Sequence, residues 1–347
     1  MDDFDRFSGF SSLYAAHLKT RLGKRHKAEV IRFEINLGYN LVQLSKMIRE
    51  NTYLPVEYYH FQVFEPKQRE IHALRYPDRV VQRSLCDKVL MPVIEPRLIF
   101  DNAACRRGKG LHFSIRRLSG FLREHYSEHG VKGYSLKCDI HKYFQSINHR
   151  VLLTQINALP ISEKTRKFVG SLIECYESTN GCGLPLGNQS SQWFALFYLD
   201  KLDRMIKENL KIKHYVRYMD DFILLHSDKS VLKDARGQIE SMLKESLQLT
   251  LNEKTQISSL SCGIKYLGFN FYLTKTGKVI RKLHSSTKKR LDRRIQLLRW
   301  EYDNDSITTD DILHVLASYK GHMKHGHCNG LENKLDQMMK PAQIKLV

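Results

Sequence analysis

The chain has 347 residues, 42% of them hydrophobic, and 56 Lys and Arg against 37 Asp and Glu give a formal charge of +19. This apolar content is enough for a sizeable core, and so large a basic excess favours a polyanionic partner, most often nucleic acid. Seven scattered cysteines without a Cys-x-x-Cys pair exclude a disulfide framework, and no apolar stretch reaches membrane-spanning length. We therefore expect a cytoplasmic protein with reduced thiols.

The first part of the chain predicts helices around one β-hairpin. Helical patterns cover residues 1–52, and residues 58–74 form a strand-turn-strand pattern with its turn at Pro66 and Lys67. Residues 77–98 predict a helix, because Pro77 and Asp78 are typical of a helix N-terminus. Another helix is predicted over 112–126.

The second part alternates strands and helices. A strand over 132–140 ends in Asp139, a turn-rich stretch covers 181–187, and an apolar hairpin surrounds residues 218–221. The remaining predicted elements are helices over 148–157, 163–177, 190–210 and 229–247, strands near 249–258, 264–273 and 278–283, and a basic helical tail from 285. We expect an α+β fold in which helices cover one face of an antiparallel sheet. A boundary near 275 is expected because Asp292 is the one acid over 278–300.

The segment Tyr218-Met219-Asp220-Asp221 places two adjacent carboxylates at the tip of an apolar hairpin. Buried carboxylates are normally paired, neutralised or bound to a metal, although aspartate is also common in plain turns. Asp139 fits either a helix cap or a third carboxylate ligand. If the strands are neighbours, these aspartates form a minimal magnesium site for phosphoryl transfer.

Six segments, in chain order, resemble the motifs of a reverse transcriptase. They are Glu65 to Arg69, Asp139 to Phe144, Leu184 to Gln192, Tyr218 to Asp221, Leu251 to Thr255 and Tyr266 to Phe269. The resemblance implies a right-hand polymerase with fingers, a palm of antiparallel sheet plus helices, and a helical thumb. It assigns 1–130 to an N-terminal extension and fingers, 131–275 to the palm and 276–347 to a basic thumb.

The same resemblance implies roles for individual residues. It implies two Mg²⁺ ions, replaceable by Mn²⁺, at the catalytic residues Asp139, Asp220 and Asp221 and the backbone of Ile140. It implies nucleotide contacts at Lys67, Arg69, Tyr143, Phe144, Leu186, Gly187, Gln192 and Lys254. It implies primer or template contacts at Tyr218, Met219, Tyr266, Leu267, Gly268, Lys288, Lys289 and Arg293.

The implied activity is RNA-directed DNA synthesis on a structured template RNA. Expected partners are that RNA, the RNA–DNA duplex, dNTPs and a small basic accessory protein that is oligomeric. Leu186 and Gln192 depart from the retroviral pattern and resemble the error-prone enzymes of diversity-generating retroelements. The alternatives are a bacterial antiviral-defence enzyme that copies a noncoding RNA, an RNA-copying polymerase, which Phe144 disfavours, and a non-catalytic RNA-binding scaffold, which the intact aspartates disfavour.

A histidine-rich segment, His322-x-x-His325-x-His327-Cys328, offers four nitrogen or sulfur donors. Its spacing does not match the usual paired ligands of a zinc site. We interpret it as a polar turn between thumb helices in preference to a zinc site.

Overall fold

The computed structural model describes residues 2–55, 57–64, 68–176, 179–328 and 330–331. Its α-helices are α1 (Asp3–Ser8), α2 (Phe10–Thr20), α3 (Ala28–Ile35), α4 (Leu37–Arg49), α5 (Tyr76–Leu85), α6 (Met91–Ile94), α7 (Leu111–His129), α8 (Tyr143–Ser146), α9 (His149–Asn157), α10 (Glu163–Glu174), α11 (Gln189–Tyr198), α12 (Asp200–Arg204), α13 (Lys229–Leu247), α14 (Ser285–Asp303) and α15 (Thr309–Met323). Its strands are β1 (Tyr58–Val63), β2 (Arg69–Leu74), β3 (Tyr134–Cys138), β4 (His214–Tyr218), β5 (Asp221–His226), β6 (Gln256–Ser259), β7 (Ile264–Tyr266), β8 (Phe269–Leu273) and β9 (Val279–Leu283).

Two of the predicted helices are present but interrupted. The helix predicted over 77–98 contains a π-helical turn at Cys86–Leu90, and the one predicted over 190–210 breaks at Leu199 and ends in a second π turn at Met205–Asn209. Helix α13 has the bounds predicted for it. Asp228 caps its N-terminus by accepting a hydrogen bond from the Ser230 N–H.

Two of the predicted strands are wrong in extent. The strand expected near 249–258 begins only at Gln256, because residues 250–252 bond instead to the backbone that follows β3. The strand expected over 264–273 is instead a hairpin, in which Tyr266 pairs with Phe269. Its turn consists of Leu267 and Gly268, which have positive φ angles of 45° and 87°.

The central sheet has the antiparallel order β4-β5-β3-β6. Strand β5 is apolar on both faces: Phe222 and Leu224 join the core that contains α11 and α13, whereas Ile223 and Leu225 join the core that contains α7. The expectation that helices cover one face is therefore wrong, because alternate residues of a buried strand point to opposite faces and both carry apolar side chains here.

A smaller sheet, β7-β8-β9, packs in the second core together with α7, α14 and α15. The β8–β9 hairpin pairs Leu273 with Val279 and so joins residues on both sides of position 275. Among the described residues, every helix is too short or too polar to cross a membrane.

A buried ion pair connects the central sheet to the helix beside it. Arg217 on β4 and Asp203 on α12 are both fully buried, and the Arg217 Nε donates to Asp203 Oδ1 at 2.7 Å. The Tyr215 hydroxyl donates to the same carboxylate at 2.6 Å, and Arg217 also donates to the carbonyl of Leu196 at 3.1 Å. The charge of Arg217 is thus compensated within the core.

The loop that precedes α11 packs against strand β2. The His72 N–H donates to the carbonyl of Leu186 at 2.9 Å, and Gly187 adopts a φ of 113°. A Cβ atom at position 187 would lie 3.0 Å from Cγ2 of Ile71. Both the backbone conformation and the space therefore favour glycine here.

Replacing Asp203 with Ala should leave Arg217 as an uncompensated buried charge. We expect the free energy of unfolding to fall by about 3–5 kcal/mol in urea titrations. Arg236→Ala is the matched control, because the exposed pair of Arg236 with Glu240 on α13 should contribute only about 0–1 kcal/mol. Equal losses for the two variants would contradict the role of the buried pair.

Replacing Gly187 with Ala should strain the loop and push it away from Ile71. A residue forced into this region costs about 1–3 kcal/mol, so the unfolding midpoint in urea should fall. Gly170→Ala is the control, since Gly170 lies within α10 and its added Cβ would meet Leu153 at an ordinary 3.7 Å. That control should be neutral or stabilising by up to about 1 kcal/mol.

Candidate active site

A cleft of about 670 Å³ opens above one end of the central sheet. Its lining comes from the β1–β2 hairpin, the end of β3, α8, the loop and first turn of α11, the β4–β5 turn and the β7–β8 turn. The lining residues are Gln68, Arg69, Glu70, Asp139, Ile140, Lys142, Tyr143, Phe144, Gln145, Leu186, Gln192, Tyr218, Met219, Asp220, Asp221, Asn252 and Leu267.

The turn between β4 and β5 carries two of the predicted carboxylates. Tyr218 pairs with Asp221, so Met219 and Asp220 form a two-residue turn, and Met219 has a left-handed φ of 57°. Two-residue hairpins need such angles, which cost a residue other than glycine about 1–3 kcal/mol. Arg217 donates from Nη1 to the Met219 carbonyl at 2.9 Å, which holds the turn in this conformation.

The third carboxylate is brought in by strand pairing. Cys138 of β3 pairs with Phe222 of β5, so the next residue, Asp139, lies at the register position of Asp221. The Asp139 carbonyl accepts a hydrogen bond from the Asn252 N–H at 2.7 Å, and Ile140 forms a bridge with Leu251. All three aspartates line the cleft.

The electrostatics at Asp221 suit a bound cation. Burial raises the pKa of Asp221 to about 6, and the nearby Asp139 and Asp220 add to the rise, whereas Lys137, with its Nζ 3.3 Å from Oδ2, opposes it. The Asp221 Oδ1 atom is buried and has no hydrogen-bond partner among the described residues. An orphaned carboxylate oxygen beside two further carboxylates fits a hard divalent cation such as magnesium.

The structure brings together only part of the predicted nucleotide-binding set. The members that line the cleft are Arg69, Tyr143, Phe144, Leu186 and Gln192. Gln192 accepts a hydrogen bond from the Cys105 thiol at 3.3 Å. Tyr143 is almost wholly buried, and its hydroxyl donates to the Ala195 carbonyl.

Two further members of the nucleotide set, Gly187 and Lys254, are not among the residues that line the cleft. Gly187 packs on β2, whereas Lys254 is exposed and its N–H donates to the Asn252 side chain at 3.0 Å. Lys67 lies outside the described residues.

Only some of the predicted primer and template residues line the cleft. Tyr218, Met219 and Leu267 line the cleft. Tyr266 is fully buried and shares a hydrogen bond of 2.7 Å with the Ser114 hydroxyl, so its side chain faces the core.

The remaining predicted primer and template residues belong to the β7–β8 turn and to helix α14. At Gly268 an added Cβ would lie 3.2 Å from the His322 ring. Three basic side chains are exposed on α14: Lys288, Lys289 and Arg293.

Several residues at the site were not singled out from the sequence. Lys137 could have been found, because it lies two residues before Asp139 on the same strand and so shares its face. Lys142 and Asn252 lie within two of the motif segments, 139–144 and 251–255, but the resemblance assigned no role to either residue. Arg217 supports the turn from within the core, and the motif pattern does not reveal it.

The histidine-rich segment lies where α15 ends. His325 stacks on His112 with ring centroids 3.6 Å apart, and the Nδ1 of His327 accepts a hydrogen bond from the Arg281 N–H at 3.1 Å. Burial and the neighbouring His112 lower the pKa values of His322 and His325. These contacts agree with a structural role for the segment.

Residues 65–271 match the family model described as reverse transcriptase (RNA-dependent DNA polymerase). A search of curated proteins gave no match. Among solved structures, the chain is similar to telomerase from Candida albicans in complex with a TWJ fragment of telomeric RNA, with a TM-score of 0.47 and 14% identity over 65% of this chain and 45% of that one. It is also similar to apo telomerase from Candida tropicalis truncated from its C-terminal domain, with a TM-score of 0.47 and 15% identity over 66% of this chain and 55% of that one.

The chain thus spans about half the length of the telomerase chains that it matches. The family match covers more than half of this chain and includes the strands that carry all three aspartates. The fold class expected from the motifs is confirmed, and the chain belongs to the reverse transcriptase (RNA-dependent DNA polymerase) family.

Proposed function

We propose that the protein is an RNA-directed DNA polymerase that extends a 3′-hydroxyl in the cleft above the central sheet. The observation that carries the proposal is the convergence of Asp139, Asp220 and Asp221 in one cleft of a chain of this family. A binding scaffold has no need to hold three like charges together, because their mutual repulsion is unfavourable without a cation.

The three aspartates and the backbone carbonyl of Ile140 would hold divalent cations, with Mg²⁺ preferred and Mn²⁺ as a substitute. When bound, a pair of such ions supplies activation of the attacking hydroxyl and neutralisation of the leaving pyrophosphate. Members of this family use divalent cations, and the buried Oδ1 of Asp221 is suited to contact one.

The remaining side chains would position substrates. Arg69, on the hairpin side of the cleft, would bind the triphosphate, and Phe144 would pack beneath the deoxyribose. Lys67 and Lys254 would complete the proposed triphosphate set. The exposed bases of α14 would follow the phosphates of an RNA–DNA duplex, which needs charge and no sequence code.

We assign the domains in chain order, with 1–130 as N-terminal extension and fingers, 131–275 as palm, and 276–347 as thumb. Residues of the first two parts line the cleft, for example Arg69 from the first and Asp220 from the second. The β8–β9 hairpin would connect the palm to the thumb.

Changing both Asp220 and Asp221 to Asn should abolish primer extension. Removing the charges that hold the cations forfeits several kcal/mol of transition-state stabilisation, so we expect a loss of about 10²-fold or more in extension rate. Asp234→Asn is the matched control, since Asp234 is exposed on α13 away from the cleft. Extension by the double variant at the control's rate would contradict the proposal.

Changing Phe144 to Ala should admit ribonucleotides. The space freed beneath the sugar would accommodate a 2′-hydroxyl, so the ratio of kcat/KM for dNTPs over NTPs should fall by about tenfold or more. Tyr39→Ala, which removes an exposed aromatic side chain on α4, is the control and should keep the wild-type ratio. An unchanged ratio in Phe144→Ala would exclude this residue as the sugar filter.

We further propose that the enzyme belongs to the diversity-generating branch and copies its template RNA with frequent errors. Leu186 and Gln192, whose identities suggest this branch, both line the cleft. A leucine cannot hydrogen-bond a template base or nucleotide as an amide would, so discrimination against mispairs should weaken. A structured template RNA and a small basic oligomeric accessory protein would be the partners.

Sequencing the RNA that copurifies with the protein tests this assignment. We expect an RNA that repeats nearby coding sequence, because a diversity-generating enzyme copies a template related to its target gene. An unrelated noncoding RNA would overturn the assignment and favour a defence enzyme, while leaving the polymerase proposal intact.

A further inference from the structure

The hairpin formed by β1 and β2 carries a second cluster of potential metal ligands, one of which, Glu70, also lines the cleft. His60 and His72 are directly opposite each other in the register, and their ring centroids lie 4.5 Å apart. Glu70 precedes His72 by two residues and therefore projects from the same face of the hairpin. Three ligand-bearing side chains thus share one face.

Their ligand atoms are close to the spacing that a metal ion requires. The Glu70 Oε1 lies 4.0 Å from His60 Nδ1 and 3.6 Å from His72 Nε2, and the ligand atoms all lie within 4.8 Å of one another. A tetrahedral zinc ion with bonds of about 2.1 Å places its ligand atoms about 3.4 Å apart. Small side-chain rotations would close the difference.

The types of ligand atom in the cluster favour a bound metal ion over simple ion pairing. Exposed histidine–carboxylate pairs would also contribute little by themselves. Two imidazoles and one carboxylate suit Zn²⁺ better than Mg²⁺.

An open cavity adjoins the cluster. His60 and His72 line a space of about 520 Å³ together with Tyr58, Tyr176 and Cys175. Cys175 is not among the residues whose ligand atoms lie within 4.8 Å of one another, so we do not include it as a ligand. The cavity leaves room for water at the fourth position of a tetrahedral ion.

We propose that His60, Glu70 and His72 bind a zinc-like divalent cation that fastens β1 to β2. A two-stranded hairpin is marginally stable alone, and most of this one is solvent-exposed. Strand β2 is already held by the hydrogen bond from the His72 N–H to the Leu186 carbonyl. The ion would add a second connection, from β1 to this anchored strand.

Zinc binding to the purified full-length protein tests the proposal, measured by competition with a chromogenic chelator in excess Mg²⁺ to occupy the carboxylates of the cleft. We expect tight binding of one Zn²⁺ per chain. His60→Ala, Glu70→Gln and His72→Ala should each weaken it by about tenfold or more, since loss of even an outer partner of a metal ligand costs about 10–100-fold. Wild-type affinity in all three variants would overturn the proposal.

His325→Ala is the matched control, because it removes a stacked histidine from the thumb side of the chain. It should keep the wild-type affinity for Zn²⁺. If this variant loses the ion, the site belongs to the histidines near α15 and the proposal fails.

Amide hydrogen exchange gives a second readout that does not depend on polymerase activity. Adding Zn²⁺ should slow exchange in 58–63 and 69–74 of the wild-type protein and leave exchange unchanged in His72→Ala. Equal slowing in the variant would overturn the assignment of the ion to this hairpin.

Discussion

The buried pair of Arg217 and Asp203 is the interaction on which the rest of the site depends. Arg217 donates to the Met219 carbonyl and so holds the left-handed residue that makes the carboxylate turn. The same guanidinium bonds Asp203 and the Leu196 carbonyl, which fixes the helices behind the sheet relative to the turn. A buried charge is tolerable only when it is compensated, so the turn, the strand and the helices are stable only together.

The antiparallel register of β3 and β5 determines which carboxylates meet beside the turn that Arg217 supports. Because Cys138 pairs with Phe222, Asp139, directly after β3, and Asp221, at the start of β5, lie side by side at the same end of the sheet. Their proximity and burial raise the pKa of Asp221, an unfavourable arrangement that the rest of the fold sustains. The ammonium group of Lys137 offsets part of the repulsion between these carboxylates. We interpret the repulsion that is left as the mark of a site that binds cations.

Much of the fold and of the candidate site could be predicted from local sequence patterns. The features that could not be predicted have physical causes. Helix α13 and the carboxylate hairpin follow from an N-terminal cap, apolar periodicity and β-branched or aromatic strand residues, all local signals. Local patterns do not reveal that the Tyr266 side chain faces the core, because its hydroxyl partner, Ser114, lies 152 residues away in sequence. Arg217 was missed for a similar reason, since an arginine within an apolar strand has meaning only once its buried partner is known.

The central claim is that the three aspartates form one cation site. The most direct measurement is a crystal structure of the protein with Mn²⁺ and a non-hydrolysable dNTP, in which anomalous scattering locates the metal. The account predicts manganese within coordinating distance of Asp139, Asp220 and Asp221, and no such peak in the variant with both Asp220→Asn and Asp221→Asn. Manganese bound elsewhere, with these carboxylates free of metal, would contradict it.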